Sequence, residues 1–311
     1  MTNSNWAWAW DDALRGVIPP MISPLTPSGQ VDTGAVGRVV DYILAGGCSG
    51  LFVLGGVGEG AWLSTAQRGR IVDATVRATA GRAPVLVGLM LPGTAPARDA
   101  ALQAADAGAD ALVVGSPYYF GVDAASQQRH VEVILAATPL PVLLYNIPQC
   151  THQPLLGEAV EALAAEPRIL GMKDSWGDMP YFQSLLTLKL KRPNFRVLQG
   201  HEHAAMASLL LGADGLIPGL GNVAPRVLVS LVQAARAGNV ATCQRLHAEI
   251  FELTGIYTQK AGLAGLYAAC AVLGLARNVP AEPWVPVGDA DLPAIEAILR
   301  KHDLLPLAAA V

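Results

Sequence analysis

The sequence predicts a (β/α)₈ barrel of the TIM type with a C-terminal helical appendage. Three observations support it: short apolar runs recur along the chain, segments with helical spacing separate most of them, and the runs are continuously apolar rather than alternating. Continuous apolar runs are typical of parallel strands that helices cover on both faces. Eight such units favour a barrel. The candidate strands are 16–23, 50–55, 84–90, 110–116, 141–147, 168–174, 195–200 and 215–219.

The segments between the strands read as helices. Residues 33–47 and 65–81 have apolar residues at helical spacing and end in glycine, as helix C-termini commonly do. After residue 238 only helical patterns remain, in 240–257, 260–274 and 292–302. We therefore predict an N-terminal arm (1–15), a barrel (16–238) and a C-terminal helical region (239–311).

The arm carries three tryptophans at alternate positions, Trp6, Trp8 and Trp10. Two outcomes stay open for them. They pack on this subunit or a neighbouring one, or they belong to a partly ordered tail.

Composition excludes several classes of protein. The 311 residues are 52 % hydrophobic with a net charge of −4, and no basic cluster is present to follow a nucleic acid backbone. The longest uncharged apolar stretches, such as 261–276, are too short to span a bilayer. The N-terminus lacks the basic and apolar regions of a signal peptide, and the four scattered cysteines suit reduced thiols. We expect a cytoplasmic protein that binds neither nucleic acid nor membrane.

Two residues at adjacent strand ends are the first candidates for chemistry. Active sites of such barrels gather at the C-terminal ends of the strands, where Tyr145 and Lys173 lie. A buried lysine loses its charge readily and can form a Schiff base with a ketone. The alternative is an ion pair between Lys173 and Asp174. Tyr145 either moves protons or makes only a local hydrogen bond.

Two further loops hold candidates. The glycines of "GGVGEG" (55–60) suit a tight loop whose N–H groups bind a carboxylate, and we expect Glu59 to be structural, accepting backbone N–H groups. In "GHEH" (200–203) the two histidines suggest a metal, but no third ligand is evident. We therefore predict no metal and favour a polar substrate-binding edge, with a solvated loop as the alternative.

Four motifs give the chain a clear resemblance. "GGVGEG", "SPYYF" (116–120), "LLYNIP" (143–148) and "LGMKDS" (170–175) resemble those of the dihydrodipicolinate synthase and N-acetylneuraminate lyase family. The resemblance runs from about residue 16 to 290 and includes a helix near the C-terminus, in 259–275. Members of this family are class I aldolases that use pyruvate.

The resemblance implies roles for individual residues. Lys173 forms a Schiff base with pyruvate or another 2-oxo acid and no further cofactor is needed, Tyr145 shuttles protons, and Tyr119 completes the site of a neighbouring subunit in a homotetramer built as a dimer of dimers. Substrate contacts are expected from Gly56, Val57, Cys150, His152, Gly200, Glu202, His203 and Ile217.

Two departures from the family pattern bear on the substrate. Gly56 and Val57 stand where the synthases and neuraminate lyases have hydroxyl residues, so a hydroxyl relay from Tyr119 to Tyr145 cannot pass through this loop. Cys150 occupies the position of the arginine that holds the carboxylate of the synthases' second substrate. A role in lysine biosynthesis is therefore disfavoured.

Three functions stay open. The first is aldol cleavage of a 2-oxo-3-deoxy sugar acid, or a related 4-hydroxy-2-oxo acid, to pyruvate and an aldehyde. The second is a Schiff-base dehydratase of a 2-oxo-3-deoxy acid. The third is a homologue that resembles the synthases or only binds a 2-oxo acid. Because binding alone needs neither Lys173 nor Tyr145, a homologue that only binds is disfavoured. We predict the first function, with the dehydratase as the alternative.

Overall fold

The fold is built on a parallel sheet of seven strands in sequential order. The computed structural model describes residues 8–260 and 262–305. Each strand pairs with the next along the chain, so helical crossovers connect all neighbours. The strands are β1 (Leu51–Val53), β2 (Val85–Gly88), β3 (Ala111–Gly115), β4 (Val142–Asn146), β5 (Ile169–Asp174), β6 (Arg196–Gln199) and β7 (Gly215–Leu216).

The first predicted strand, 16–23, is wrong as a continuous strand. Val17 makes an isolated parallel bridge with Leu216 of β7, and Pro20 makes one with Phe52 of β1. Pro19 and Pro20 lack N–H groups, so this segment cannot complete a ladder of hydrogen bonds. The segment nevertheless connects the two edge strands of the sheet.

Helices follow the strands along the chain, and side-chain caps begin several of them. Ser64 and Gln67 form a reciprocal capping box, and Asp32, Asp178 and Asn239 accept an N–H bond from the first turn that follows. The helices are α1 (Trp10–Ala13), α2 (Thr33–Ala45), α3 (Thr65–Thr79), α4 (Thr94–Asp106), α5 (Ala124–Ala137), α6 (Pro148–Thr151), α7 (Gly157–Leu163), α8 (Met179–Lys191), α9 (Ala205–Leu210), α10 (Pro225–Arg236), α11 (Val240–Leu253), α12 (Ala264–Val272) and α13 (Leu292–Lys301).

The helices α11, α12 and α13 confirm the helical patterns predicted after residue 238. The proposed domain boundaries stay predictions. Of the arm, residues 1–7 and hence Trp6 lie outside the described residues, as do residues 306–311 of the C-terminal region. Trp8 Nε1 donates to Asp110 Oδ1 at 2.7 Å, and Trp10 is buried, so these two tryptophans pack on their own subunit.

Two apolar cores lie on opposite faces of the sheet. The larger core fills the space between strands and helices. The smaller one takes one or two side chains from each of β1 to β6, including Phe52, Leu143, Tyr145 and Leu198, and α1 contributes Trp10. Side chains of a strand alternate between its faces. Tyr145 therefore belongs to the smaller core, on the inner face of the sheet, and Leu144 to the larger core, on the outer face.

Candidate active site

A cavity of about 670 Å³ lies at the C-terminal ends of the strands. Its walls come from the segments that follow each of β1 to β7. All predicted site residues except Tyr119 and His203 line it: Gly56, Val57, Tyr145, Cys150, His152, Lys173, Gly200, Glu202 and Ile217.

Lys173 is buried on the inner side of β5. It is 2 % exposed, and its Nζ lies 4.1 Å from the centroid of the Tyr145 ring and 5.0 Å from that of Phe52. It forms no ion pair with a carboxylate of the described residues. Burial therefore lowers the pKa of Lys173 to about 7, although the charge of Glu202 acts in the opposite direction. A large share of the amine is neutral, and so nucleophilic, near neutral pH.

The alternative ion pair between Lys173 and Asp174 is wrong. Consecutive side chains of a strand point to opposite faces, and Asp174 lies on the side of the helices. There its Oδ1 accepts a hydrogen bond of 2.7 Å from Asn146 Nδ2, and Asn146 Oδ1 in turn accepts from the Leu155 N–H at 3.0 Å. Burial raises the pKa of Asp174 to about 6.

Tyr145 lies directly opposite Lys173 on the neighbouring strand β4, as a register pair. Burial raises the pKa of its phenol well above the ordinary value, and the Ser175 hydroxyl acts in the opposite direction. The free phenol thus keeps its proton at neutral pH. A positive charge formed at Lys173 would favour the phenolate, so the pair is suited to proton transfer once an iminium exists.

Because Gly200 has no side chain, Lys173 can occupy the space beside it. A Cβ atom at this position would lie 2.6 Å from Lys173 Cε and would also collide with Ser175 Oγ. The Gly200 N–H donates to the Asp174 carbonyl at 2.7 Å, which fixes this backbone beside β5. The lysine and the serine hydroxyl therefore lie side by side at the base of the cavity.

The glycine loop after β1 presents free donors to the cavity. No described residue accepts a hydrogen bond from the N–H of Gly56 or Val57. The loop is held tightly: Gly60 N–H donates to the Gly55 carbonyl at 3.2 Å, and a Cβ on Gly58 would lie 2.8 Å from the Met21 carbonyl oxygen. Two adjacent unpaired N–H groups suit a carboxylate.

Glu59 has the structural role that the sequence predicts. Its Oε2 accepts from Tyr267 Oη at 2.7 Å and from the Ala281 N–H at 2.8 Å. Burial raises the pKa of Glu59 to about 7. It thereby joins the glycine loop to the C-terminal region.

Glu202 forms the polar edge of the cavity. Its Oε1 accepts from Tyr257 Oη at 2.9 Å and from the Leu220 N–H at 3.2 Å. His203 points away: its Nε2 lies 3.1 Å from Thr254 Oγ1, and its ring packs on Phe251. His203 is therefore not among the lining residues, because a 3₁₀ turn over Glu202–Ala204 directs successive side chains to different sides, and its predicted contact with the substrate stays a prediction. His201 lines the cavity instead.

Tyr119 lies outside the cavity of its own chain. It is 81 % exposed, has a φ of 84° and packs edge-on against the exposed Phe120 ring at 4.9 Å. A role in its own subunit's cavity is therefore excluded by position. Its predicted role, which is to complete the site of a neighbouring subunit, stays a prediction.

Several cavity residues were missed by sequence reasoning. Ser175 is the last residue of the lysine motif "LGMKDS", and this position was the available signal for it. His201 belongs to "GHEH", where only the residues after it were chosen as substrate contacts. The remaining three are separated from the lysine motif by long stretches of chain and belong to no motif: Trp62, Tyr257 and Trp284. Within residues 8–260 and 262–305, no His, Cys, Asp and Glu side chains cluster in the number needed to hold a metal ion. No described helix is long and apolar enough to cross a membrane.

Comparisons with known proteins agree with this geometry. Residues 13–302 match the Dihydrodipicolinate synthetase family. The chain is 35 % identical to the probable 2-dehydro-3-deoxy-D-pentonate aldolase YjhH of Escherichia coli K12 over 78 % of this chain and 82 % of that protein. It is 33 % identical to the 4-hydroxy-tetrahydrodipicolinate synthase of Salinibacter ruber, over 95 % and 97 % of the two chains.

A solved structure of YagE from E. coli K12, in complex with pyruvate, superimposes with a TM-score of 0.87 at 32 % identity, covering 93 % of this chain and 98 % of YagE. The resemblance read from the motifs is confirmed, as is the expectation of an enzyme of this lyase type. The chain belongs to the dihydrodipicolinate synthetase family.

Proposed function

We propose that the protein cleaves a 2-oxo-3-deoxy sugar acid, or a related 4-hydroxy-2-oxo acid, to pyruvate and an aldehyde through a Schiff base on Lys173. One observation carries the proposal. A buried lysine amine with no carboxylate partner among the described residues lies 4.1 Å from the centre of the Tyr145 ring, inside a cavity large enough for substrate.

The first step is attack of the neutral Lys173 amine on the keto carbon. The unpaired N–H groups of Gly56 and Val57 bind the substrate carboxylate and orient that carbon. The carbinolamine then loses water to give an iminium. The carboxylate of Glu202, whose charge already favours the charged form of Lys173, stabilises this cation.

The second step breaks the bond between C3 and C4. Tyr145, as phenolate beside the iminium, takes the proton of the C4 hydroxyl, the C3–C4 electron pair moves into the iminium, and the aldehyde leaves. The enamine that remains regains a proton at C3, and hydrolysis of the imine releases pyruvate. The iminium is the electron sink, so the proposal requires no metal or cofactor.

The Ser175 hydroxyl is the group we propose as a proton partner for Tyr145. Gly56 and Val57 bring no hydroxyl to this part of the site, whereas Ser175 lies beside Lys173 Cε and lowers the pKa of Tyr145. A serine hydroxyl can donate and accept at once, which a relay requires.

Three features support the choice of substrate. YjhH and YagE carry names of 2-dehydro-3-deoxy sugar acid aldolases. Cys150 lines the cavity, and its thiol cannot form the charged, paired hydrogen bonds that would hold a second carboxylate. Glu202 and Tyr257 offer a polar edge for a hydroxyl group.

The assembly and the full architecture are part of the same proposal. We infer that residues 16–23 and the seven strands make a closed (β/α)₈ barrel.

The exposed pair Tyr119 and Phe120 supports a subunit contact in a homotetramer. A fully active monomer in light scattering would contradict the role of Tyr119. The four free cysteines support a cytoplasmic location.

A screen of 2-oxo-3-deoxy acids for pyruvate release tests the reaction. We expect cleavage of at least one such acid, and none by the Lys173→Ala variant. Loss of water from the substrate without pyruvate would instead indicate the dehydratase. Binding without either reaction would indicate a non-catalytic homologue.

A further inference from the structure

Two tryptophans form part of the cavity wall that the proposed reaction does not use. Trp62 follows the glycine loop, and Trp284 belongs to the segment before α13. Their ring centroids lie 5.2 Å apart, with the ring planes inclined by 52°. Trp62 lines the cavity and is 47 % exposed, which is a high exposure for so large an apolar side chain.

A chain of hydrogen bonds through Glu59 holds the two tryptophans together. The backbone N–H of Trp62 donates to the Glu59 carbonyl at 2.9 Å. The Glu59 carboxylate accepts from the Ala281 N–H at 2.8 Å, and the Ala281 carbonyl accepts from the backbone N–H of Trp284 at 3.1 Å. The backbone at both tryptophans is thus tied to the carboxylate-binding loop before any ligand arrives.

Gly262 makes room for the indole of Trp284. A Cβ atom at this position would collide with the six-membered ring of Trp284, so the backbone lies directly against that ring. Gly262 has a φ of 65°, which favours glycine. The indole is therefore supported by backbone.

The size and chemistry of the cavity favour an apolar group as ligand of this wall. At about 670 Å³ the cavity is in the range that accommodates drug-sized molecules, far larger than pyruvate requires. Among the described residues that line the cavity, Lys173 is the one lysine or arginine. Once Lys173 is an imine, no such side chain is left to pair with a second anion. Apolar side chains form much of the lining: Val57, Trp62, Leu89, Met90, Ile147, Leu263 and Trp284.

We propose that Trp62 and Trp284 form an aromatic subsite for a neutral apolar group, aryl or branched alkyl, at the end of the substrate remote from its keto carbon. The proposal rests on the aldol cleavage proposed above, and it specifies which kind of group the released aldehyde carries. Indole faces bind flat apolar groups through burial and offset or edge-to-face stacking. The preferred substrate is then a 4-hydroxy-2-oxo acid whose C4 carries such a group.

A substrate analogue that cannot be cleaved separates the subsite from the reaction. 2-Oxo-4-phenylbutanoate has the keto acid and a phenyl group but no C4 hydroxyl, and 2-oxobutanoate is its short counterpart. Borohydride trapping on Lys173 is measured against the concentration of each acid. We expect half-saturation at about ten- to a hundredfold lower concentration for the phenyl acid, the gain typical of burying such a group.

Matched variants test whether the two tryptophans cause the lower half-saturation concentration of the phenyl acid. Trp284→Ala and Trp62→Ala should each remove most of the advantage of the phenyl acid and leave trapping of 2-oxobutanoate within about threefold. Trp176→Ala is the control, because Trp176 packs on Tyr181 and does not line the cavity. Equal half-saturation of the two acids in the wild type, or an equal loss in the Trp176→Ala variant, would overturn the proposal.

Failure of the proposed function has a different signature. If neither acid is trapped on Lys173, the Schiff base is wrong. Saturable quenching of indole fluorescence by the phenyl acid, lost in Trp284→Ala, would then still support the subsite, and its absence would overturn it.

Discussion

Lys173 and Tyr145 are register partners on adjacent parallel strands, and the lysine amine lies 4.1 Å from the centre of the tyrosine ring. Because both side chains point to the inner face of the sheet, neither reaches solvent easily. The amine of Lys173 and the phenol of Tyr145 are therefore held next to each other by strand pairing, which is among the most rigid relationships in a fold.

Removal of the Tyr145 hydroxyl should slow catalysis without disturbing the fold. A positioned proton donor contributes about 10²- to 10⁴-fold to rate, so Tyr145→Phe should lower kcat by that factor. The ring remains and still packs on Phe52, so the melting temperature should change little. Near-normal kcat would assign Tyr145 to packing alone.

Adduct formation should depend on pH through the Lys173 amine. The pKa of Lys173 is lowered to about 7, so the rate of pyruvate trapping should fall about tenfold per pH unit below 7 and level off above it. Glu202→Gln removes a negative charge that favours the ammonium form, and it should shift the midpoint to lower pH. Glu132→Gln, on the exposed face of α5, is the control. A midpoint near 10.5, the ordinary value of lysine, would contradict the burial argument.

Loss of the Ser175 hydroxyl should affect proton transfer more than adduct formation. Ser175 lowers the pKa of Tyr145, so Ser175→Ala should raise that pKa further and reduce kcat about tenfold or more. Pyruvate should still be trapped on Lys173. Ser184→Ala, on the exposed surface of α8, should leave both measurements unchanged. Equal loss of trapping and turnover would instead indicate a structural role for Ser175.

Condensation of pyruvate with aspartate semialdehyde should be inefficient. A missing charge-assisted hydrogen bond costs about 1.5 to 3 kcal/mol, which is roughly ten- to a hundredfold in binding, and Cys150 provides no such bond. A coupled assay that follows both substrates measures this, with 2-oxo-3-deoxygluconate cleavage run beside it. Synthase turnover at ordinary enzymatic rates would contradict the substrate assignment, and His152→Ala would then test whether His152 holds the carboxylate.

Much of this fold could be predicted because local signals and tertiary structure agree. Seven of the eight apolar runs form strands, since a parallel strand covered on both faces must be apolar throughout. The exception, 16–23, contains Pro19 and Pro20, whose missing N–H groups reduce it to bridges with Leu216 and Phe52.

The site was only partly predictable, because motifs report strand ends and not the direction of each loop residue. Lys173 and Tyr145 follow from their positions at strand ends. His203 leaves the cavity because of a local 3₁₀ turn that "GHEH" does not reveal. Trp62 and Trp284 meet through Glu59 and Ala281, contacts between distant parts of the chain that no periodicity encodes.

The most direct test of the central claim is reduction with borohydride in the presence of pyruvate, followed by peptide mapping. We predict one adduct per chain on Lys173. Because a modified lysine resists trypsin, the adduct should appear in a peptide that runs from Ile169 through Lys173 to Lys189. Lys173→Ala should carry no adduct. An adduct on another lysine such as Lys260, or none at all, would contradict the Schiff base and with it the proposed reaction.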